Sequence, residues 1–489
     1  MQETTQGSAR CKYFGACGLP VYPRVGDDLF CILHLPPGPG KDVQKFDQAL
    51  VEYLADGRSD FRWVYFPLDN PSFQGRRFTN VADFRNATFS GMLNLNEAVF
   101  DQGLLVGGTR FANVDLSRAT VRGPFRVEGR VNNTLRLNQA TLQDLVEVRV
   151  EGRIHIQSYA AQFHGRLSID APEVGSLELH YADLRQGLTL RGRCESRLDT
   201  RFDHATIRGH LDLRSCDFGG HLLFGEVVFD AESTLDLSGS RVHGELVFAG
   251  LSTLPRDVEL DGAIIDGNVR IEAVLGARRP RIVAASQHPR FGGLATFTNV
   301  DLRNCLLVGN VIDRIELSNV DWPRLRGRYV LRDEIVYRET LRIPPSNLRE
   351  AYQVLKQKYQ TRGDHVRAGD FHYGEMEMKR REYGFPWRWL SWEFIYWMLS
   401  GYGVGHVRAS LILVGLVFGF AWLYYGTSPG TFANFSEALR YSVAVAALQR
   451  PETPASFGES QRWLHLVEAI LGPLQIGFFA LALRMRLKR

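Results

Sequence analysis

Three of the six cysteines fall within the first 31 residues, as Cys11, Cys17 and Cys31, and His34 lies three positions after the last of them. The pattern is Cys-x5-Cys, a gap of 13 residues, then Cys-x2-His. It offers four N/S ligands, the complement of a closed tetrahedral zinc site. With no coordination position left open, the ion would be structural. Thiolate–metal bonds would then hold together a segment too small to bury a core of its own. Ordinary buried thiols are the alternative, because the first spacing is wider than zinc sites usually show. The other cysteines lie far apart, and the polar, Gly-rich start "MQETTQGSARCKYFGACG" lacks the cationic and apolar regions of an export signal. A reducing compartment is therefore expected, and a disulfide framework is not.

Asp370, His372 and Glu375 form a second group of ligand-type residues, on a charged segment of helical period. One His among acids is more often hydrogen-bonded or solvated than a ligand, and the group lacks a full ligand count. Neither a hydrolytic triad nor a Gly-rich phosphate loop is recognisable in the chain, so no enzymatic activity is expected. At 489 residues with a net charge of +4, the chain has room for several domains and too balanced a charge to suggest a nucleic-acid partner.

The elements that must position these residues read as a multidomain chain. Residues 1–40 carry the zinc candidate. Residues 41–72 hold one short amphipathic helix, with Phe46, Leu50, Tyr53 and Leu54 at helical spacing and Gly57 as its stop, placed to cap the next domain. From residue 73 to about 325 large apolar residues recur every five or six positions, at Phe73, Phe78, Phe84, Phe89, Leu95, Phe100, Leu105, Phe111, Leu116 and Val121, often with a small residue two positions before. No helix has that period. A five-residue step suits one short face of a β-coil whose central side chains stack inside from turn to turn. The pattern loosens after Val121, and "LGARRPRIVAASQHPR" reads as loop. The cationic residues of this region are all Arg, which favours planar pairing between turns.

These repeats resemble the pentapeptide-repeat family, which implies a right-handed quadrilateral β-solenoid. Some members of that family mimic DNA through an acidic surface, but here acids and bases are nearly equal in number. A scaffold with a recognition surface for a cytosolic protein or ligand is the expected role.

Residues 326–384 switch to a 3.6 period. Leu348, Tyr352, Leu355 and Tyr359 lie on one face, and Ala368, Phe371, Glu375 and Met378 on another beyond Gly363, which predicts an antiparallel helical hairpin. Residues 385–489 read as an interfacial helix over "FPWRWLSWEFIYWML" and two spans, Ala409 to Tyr425 and Leu464 to Leu483. Six of the eight tryptophans flank those spans, where interface belts sit. Lys and Arg precede the first span and come after the second, which places both termini in the cytosol.

"ANFSEALRYSVAVAAL" between the spans has the length of a pore helix. The connector, the N-terminal "C…C…CILHLP" and the order span, half-length helix, polar segment, span resemble bacterial membrane proteins that join pentapeptide repeats to a two-helix potassium-channel-like module. The resemblance implies a homotetramer in the inner membrane around an ion pathway. It makes Ser442, Gln449, Arg450, Glu452 and Thr453 the pore region, Glu468 an acid bracing the filter and Gly472 a hinge. An interfacial acid and a helix-packing glycine are the alternatives. Where that family has its filter, this chain has "AALQRPETP". Without a glycine pair, carbonyls cannot be aimed at a dehydrated ion, so potassium selectivity does not carry over. The rival expectation is a membrane-anchored scaffold whose spans only tether and oligomerise the solenoid. A pore that depolarises the cell under stress is a third.

Overall fold

Short strands coil into a parallel β-solenoid of about 11 turns in the computed structural model. The structure describes residues 10–13, 17–19, 21, 29–38, 40–67, 73–89, 91–108, 113–129, 133–194, 199–249, 253–340, 343–427, 430–449 and 451–487. Two compact units divide the chain, Met1–Asp321 and Trp322–Arg489.

In the first unit each strand pairs in parallel with the strand one turn on. Val99 pairs with Thr120, Thr120 with Thr141, Thr141 with Gln162 and Gln162 with Asp183, a step of 21 residues each time. Farther along, the step from Val269 to Ala295 is 26, and that from Ala295 to Ile315 is 20. Turns of unequal length explain why the repeat loosens in the sequence while the ladder continues. Like side chains stack over one another inside. Phe78 lies on Phe100 with centroids 5.0 Å apart, Phe61 on Phe84 at 4.6 Å, and Phe224 between Phe202 and Phe248 at 5.0 and 4.6 Å. Ala87, Ala98 and Ala119 are buried beside the large residues.

Three expectations are corrected. Leu105 is not an inward residue, because Leu104 and Val106 turn inside and leave it between them, half-buried. A strand alternates its sides, so in an unbroken apolar run the period cannot say which residue faces in. Phe111 lies outside the described residues. "LGARRPRIVAASQHPR" is not all loop, since Arg281–Ala284 joins the ladder between Asp257–Glu259 and Asp301–Cys305. The stacking also starts before residue 73, with Asp60 bridging Asp83 and Tyr65 bridging Thr88. Helix α1 (Val43–Ala55), N-capped by Asp42, covers that first turn by packing Phe46 on Phe66 and Tyr53 on Phe61.

Arginines lock the turns together. Arg77 and Arg122 both grip Asp101, Arg191 reaches Asp212 one turn away, and Arg281 reaches Asp257. Within a turn, Asp83, Asp212 and Asp301 are buried and accept both the backbone N–H and the guanidinium of the arginine two residues on.

The second unit opens with an unforeseen helix, α2 (Arg332–Thr340), ahead of the hairpin of α3 (Pro345–Thr361) and α4 (His365–Glu382). Leu348, Tyr352, Leu355 and Tyr359 are buried, as are Ala368, Phe371 and Met378 of the facing helix. Gly374 lets the helices close, because a Cβ there would meet the Tyr352 ring at 2.8 Å. The expected interfacial helix is two short ones, α5 (Trp387–Leu390) and α6 (Trp392–Ser400), broken at Ser391, whose Oγ accepts the Phe394 N–H. Then come α7 (His406–Thr427), α8 (Phe435–Ala446) and α9 (Glu459–Leu487).

Candidate functional site

Helices α7 and α9 are long and apolar enough to cross a membrane, and only 17 % and 22 % of their most apolar windows is buried. A core helix of a water-soluble domain would be mostly covered. Leu411, Phe418 and Ile470 instead are exposed along them, as are Trp422 near the end of α7, Trp463 near the start of α9, and Trp387, Trp389 and Trp392 on the short helices before α7. Trp397 is the exception among the six belt candidates. It is half-buried, and its indole N–H donates to Tyr373 at 2.9 Å.

Between these two helices lies α8, with 12 residues. Glu437 starts it by accepting the Ala433 N–H at 2.7 Å. Its place is fixed by one carboxylate. Glu468 of α9 is fully buried, and Tyr424 of α7 donates its hydroxyl to it at 2.8 Å. Ser442 of α8, also fully buried, donates to the other carboxylate oxygen. One acid thus ties three helices together. Around it, Tyr424, Phe432 and Phe457 form an apolar cluster with Ala438, backed by Tyr441. Farther along α9, Gly472 touches the end of α8 so closely that a Cβ there would meet the Ala446 Cα at 2.7 Å. Pro473 comes next within the helix, and the amide of buried Gln475 donates to the carbonyls of Leu399 and Ala409 at 3.0 Å each. Gln449, Glu452 and Thr453 are exposed on the connection after α8, and Arg450 lies outside the described residues. Leu448 stands there with φ of +60°, which is uncommon without glycine.

The cysteine cluster assembles in the first unit. Cys11, Cys17, Cys31 and His34 are all buried, and their ligand atoms lie within 4.8 Å of one another. The Cys17 and Cys31 sulfurs are 3.7 Å apart, and Cys11 Sγ is 3.7 Å from His34 Nδ1. A tetrahedron with metal–sulfur bonds of about 2.3 Å has edges of about 3.8 Å; the donor separations here, from 3.0 Å between Cys31 Sγ and His34 Nδ1 to at most 4.8 Å, bracket that value. His34 Nε2 donates to the Arg62 carbonyl at 2.9 Å, leaving Nδ1 as a lone pair toward the sulfurs, the usual arrangement behind a ligating imidazole. Without a metal the thiols share protons. The hydrogen bond from Cys31 holds Cys17 down to about 4 and pushes Cys31 well above the ordinary thiol range, with burial adding to the latter. The donor set fits a structural metal ion.

The Asp370, His372 and Glu375 group does not converge. Asp370 accepts the Tyr329 N–H at 3.0 Å, while Glu375 takes Lys356 at 2.6 Å and His372 at 3.3 Å. His210, Asp212 and Asp236 also lie close together, but Arg191 and Arg214 already occupy Asp212.

Sequence reasoning missed two buried acids in the connector. Glu334 receives Arg328, Arg338 and, at 2.5 Å, the Tyr352 hydroxyl. Glu377 receives Arg380, Arg381 and the Tyr402 hydroxyl. Burial opposes the charge on Glu377, but the two arginines outweigh it and hold the carboxyl below its usual range. The i, i+4 spacings of Glu334 with Arg338 and Glu377 with Arg381 were the available signal.

A model of the pentapeptide repeats family matches residues 73–120. Among curated proteins and solved structures, nothing matches the chain.

Proposed function

We propose that this chain is a channel-like integral membrane protein, an oligomeric ion-conducting pore sensed or gated through a pentapeptide-repeat solenoid in the cytosol. The observation that carries the reading is the joint made by Glu468, Ser442 and Tyr424, which holds α8 between two candidate spans. At 12 residues α8 is about 18 Å long, against a hydrocarbon core of about 30 Å, so it enters part-way and hands over to a polar segment. A buried acid among apolar helices is expensive and marks a functional position. Irregular backbone at membrane depth must face protein or water, which favours a central pathway shared by several copies.

In this reading four copies surround the pathway, Ser442 and Glu468 brace it, Gln449, Arg450, Glu452 and Thr453 surround its mouth, and Gly472 lets α9 bend. The ion is not selected as potassium is. The solenoid is a right-handed, four-sided coil, a structural zinc ion caps its start, and the chain catalyses no reaction. The setting is a bacterial inner membrane with both termini in the cytosol. Native mass measurement in detergent tests the assembly: a tetramer supports the pore, and a monomer or dimer removes the pathway.

One observation favours the rival reading, a scaffold whose spans only tether and oligomerise the solenoid. Among the described residues of the connection after α8, the left-handed conformation falls on Leu448 rather than on a glycine, unlike the glycine pair that aims carbonyls in a potassium filter.

A further inference from the structure

Within the second unit a cavity of about 540 Å³ opens between the helical connector and the start of α7. Its wall carries six arginines, Arg326, Arg328, Arg338, Arg380, Arg381 and Arg408, against two carboxylates, Asp370 and Glu377. Glu334, buried behind Arg328 and Arg338, brings the acids to three, which leaves a surplus of three positive charges. Four of the arginines have a structural role in holding Glu334 and Glu377. The other two do not. Among the described residues Arg326 and Arg408 make no ion pair, and both side chains are exposed, although Arg408 Nη1 also donates to the Trp397 carbonyl at 3.1 Å.

Donors are also left over on the paired arginines. Arg328 Nη1 and Arg380 Nε are buried N–H groups without a hydrogen-bond partner. Such groups are costly unless something supplies an acceptor. The guanidinium planes are held in place by aromatic rings. Arg380 and Arg408 lie over Trp397, at 5.2 and 4.7 Å from its centroid, and Arg328 lies over Tyr373 at 4.9 Å. The first turn of α7 ends at the same wall through Gly405 and Arg408, adding the positive end of a helix to the field. Fixed forks of N–H donors match phosphoryl oxygens, and the volume suits a small phosphorylated molecule rather than a single halide or carboxylate.

We propose that this cavity binds a multiply charged phosphoryl ligand, a pair of neighbouring phosphoryl groups carried either by a soluble small molecule or by the headgroup of an anionic phospholipid. Binding here does not depend on the chain conducting ions, and the assay reads binding alone. The full chain in neutral detergent is titrated calorimetrically with pyrophosphate. The same chain in nanodiscs of phosphatidylcholine, with and without cardiolipin, is melted.

One saturable pyrophosphate site per chain, weakened about tenfold or more in the Arg326→Ala/Arg408→Ala double variant and unchanged in Arg462→Ala, supports the proposal with a soluble source. No pyrophosphate binding but a cardiolipin-dependent rise in melting temperature, lost in the same double variant, supports it with a lipid source. Arg408→Lys, which keeps the charge but not the fork, should fall between. Absence of both effects in the natural sequence, or a double variant that binds as well as it, overturns the proposal. Both substituted residues are exposed, and circular dichroism checks that the fold persists.

Discussion

Glu468, Ser442 and Tyr424 sit on three different helices and meet in one buried carboxylate. Removing the acceptor in Glu468→Ala leaves the Tyr424 hydroxyl without its partner, at about 1–3 kcal/mol, while Ser442 keeps the Val417 carbonyl at 3.0 Å. The melting temperature in detergent should drop sharply, and Glu468→Gln, which keeps an acceptor, should drop it less. Gly472→Ala places a methyl against Ala446, where the gap is 2.7 Å to the Cα, and should destabilise the packing of α8 on α9 by about 1–3 kcal/mol. At the other end of the chain the Cys11, Cys17, Cys31 and His34 donors should return one zinc per chain by elemental analysis. Cys31→Ser should lose it and open the N-terminal segment to protease. Metal content matching that of a metal-free control would contradict this assignment.

At the scale of elements, the solenoid stands on stacked rings inside and Arg–Asp pairs outside. Burial opposes ionisation of Asp212, yet Arg191 and Arg214 outweigh it and hold its carboxyl well below the usual range. Since the folded-state value lies below the unfolded one, its contribution is full above about pH 4 and fades as pH falls below that. Asp212→Ala should cost about 1–3 kcal/mol at neutral pH, the arginine heads being half solvated, and the difference from the natural chain should shrink in acid. Circular dichroism melts at several pH values check both statements. Much of this element was legible in the sequence. Phe78, Phe84 and Phe100 announced the inward column, the absence of Lys announced planar pairing, and the family match covers the most regular stretch, residues 73–120. The illegible parts have physical causes. Leu104, Leu105 and Val106 are all apolar, so period alone cannot choose the inward pair. The long turns after Asp183 hide strands such as Arg281–Ala284 among Arg, Pro and Ser. In the site, Glu468 and Gly472 could be singled out by position, but Tyr424 lies 44 residues from its partner, and nothing local betrays the pair. The arginine cavity was invisible for the same reason, because acids and arginines on charged helices look solvated until the helices pack.

For the whole molecule, the proposed two-span reading, with Lys and Arg before α7 and at the end of α9, puts both termini on one side of the membrane. In sealed vesicles of known orientation, tags at the two termini should be cleaved together, and a tag in the 428–458 connection should be protected. Termini on opposite sides would remove the two-span topology. Glu452 is exposed on that connection, where a symmetric assembly would repeat it as a ring. The most direct measurement is single-channel recording of the purified full-length chain, its tetramers verified, in planar bilayers. The predicted result is stepwise current whose reversal potential in a salt gradient shifts toward anions in Glu452→Lys. Intact tetramers that stay silent through changes of voltage, pH and phosphoryl ligand would contradict the channel and leave the tethered scaffold.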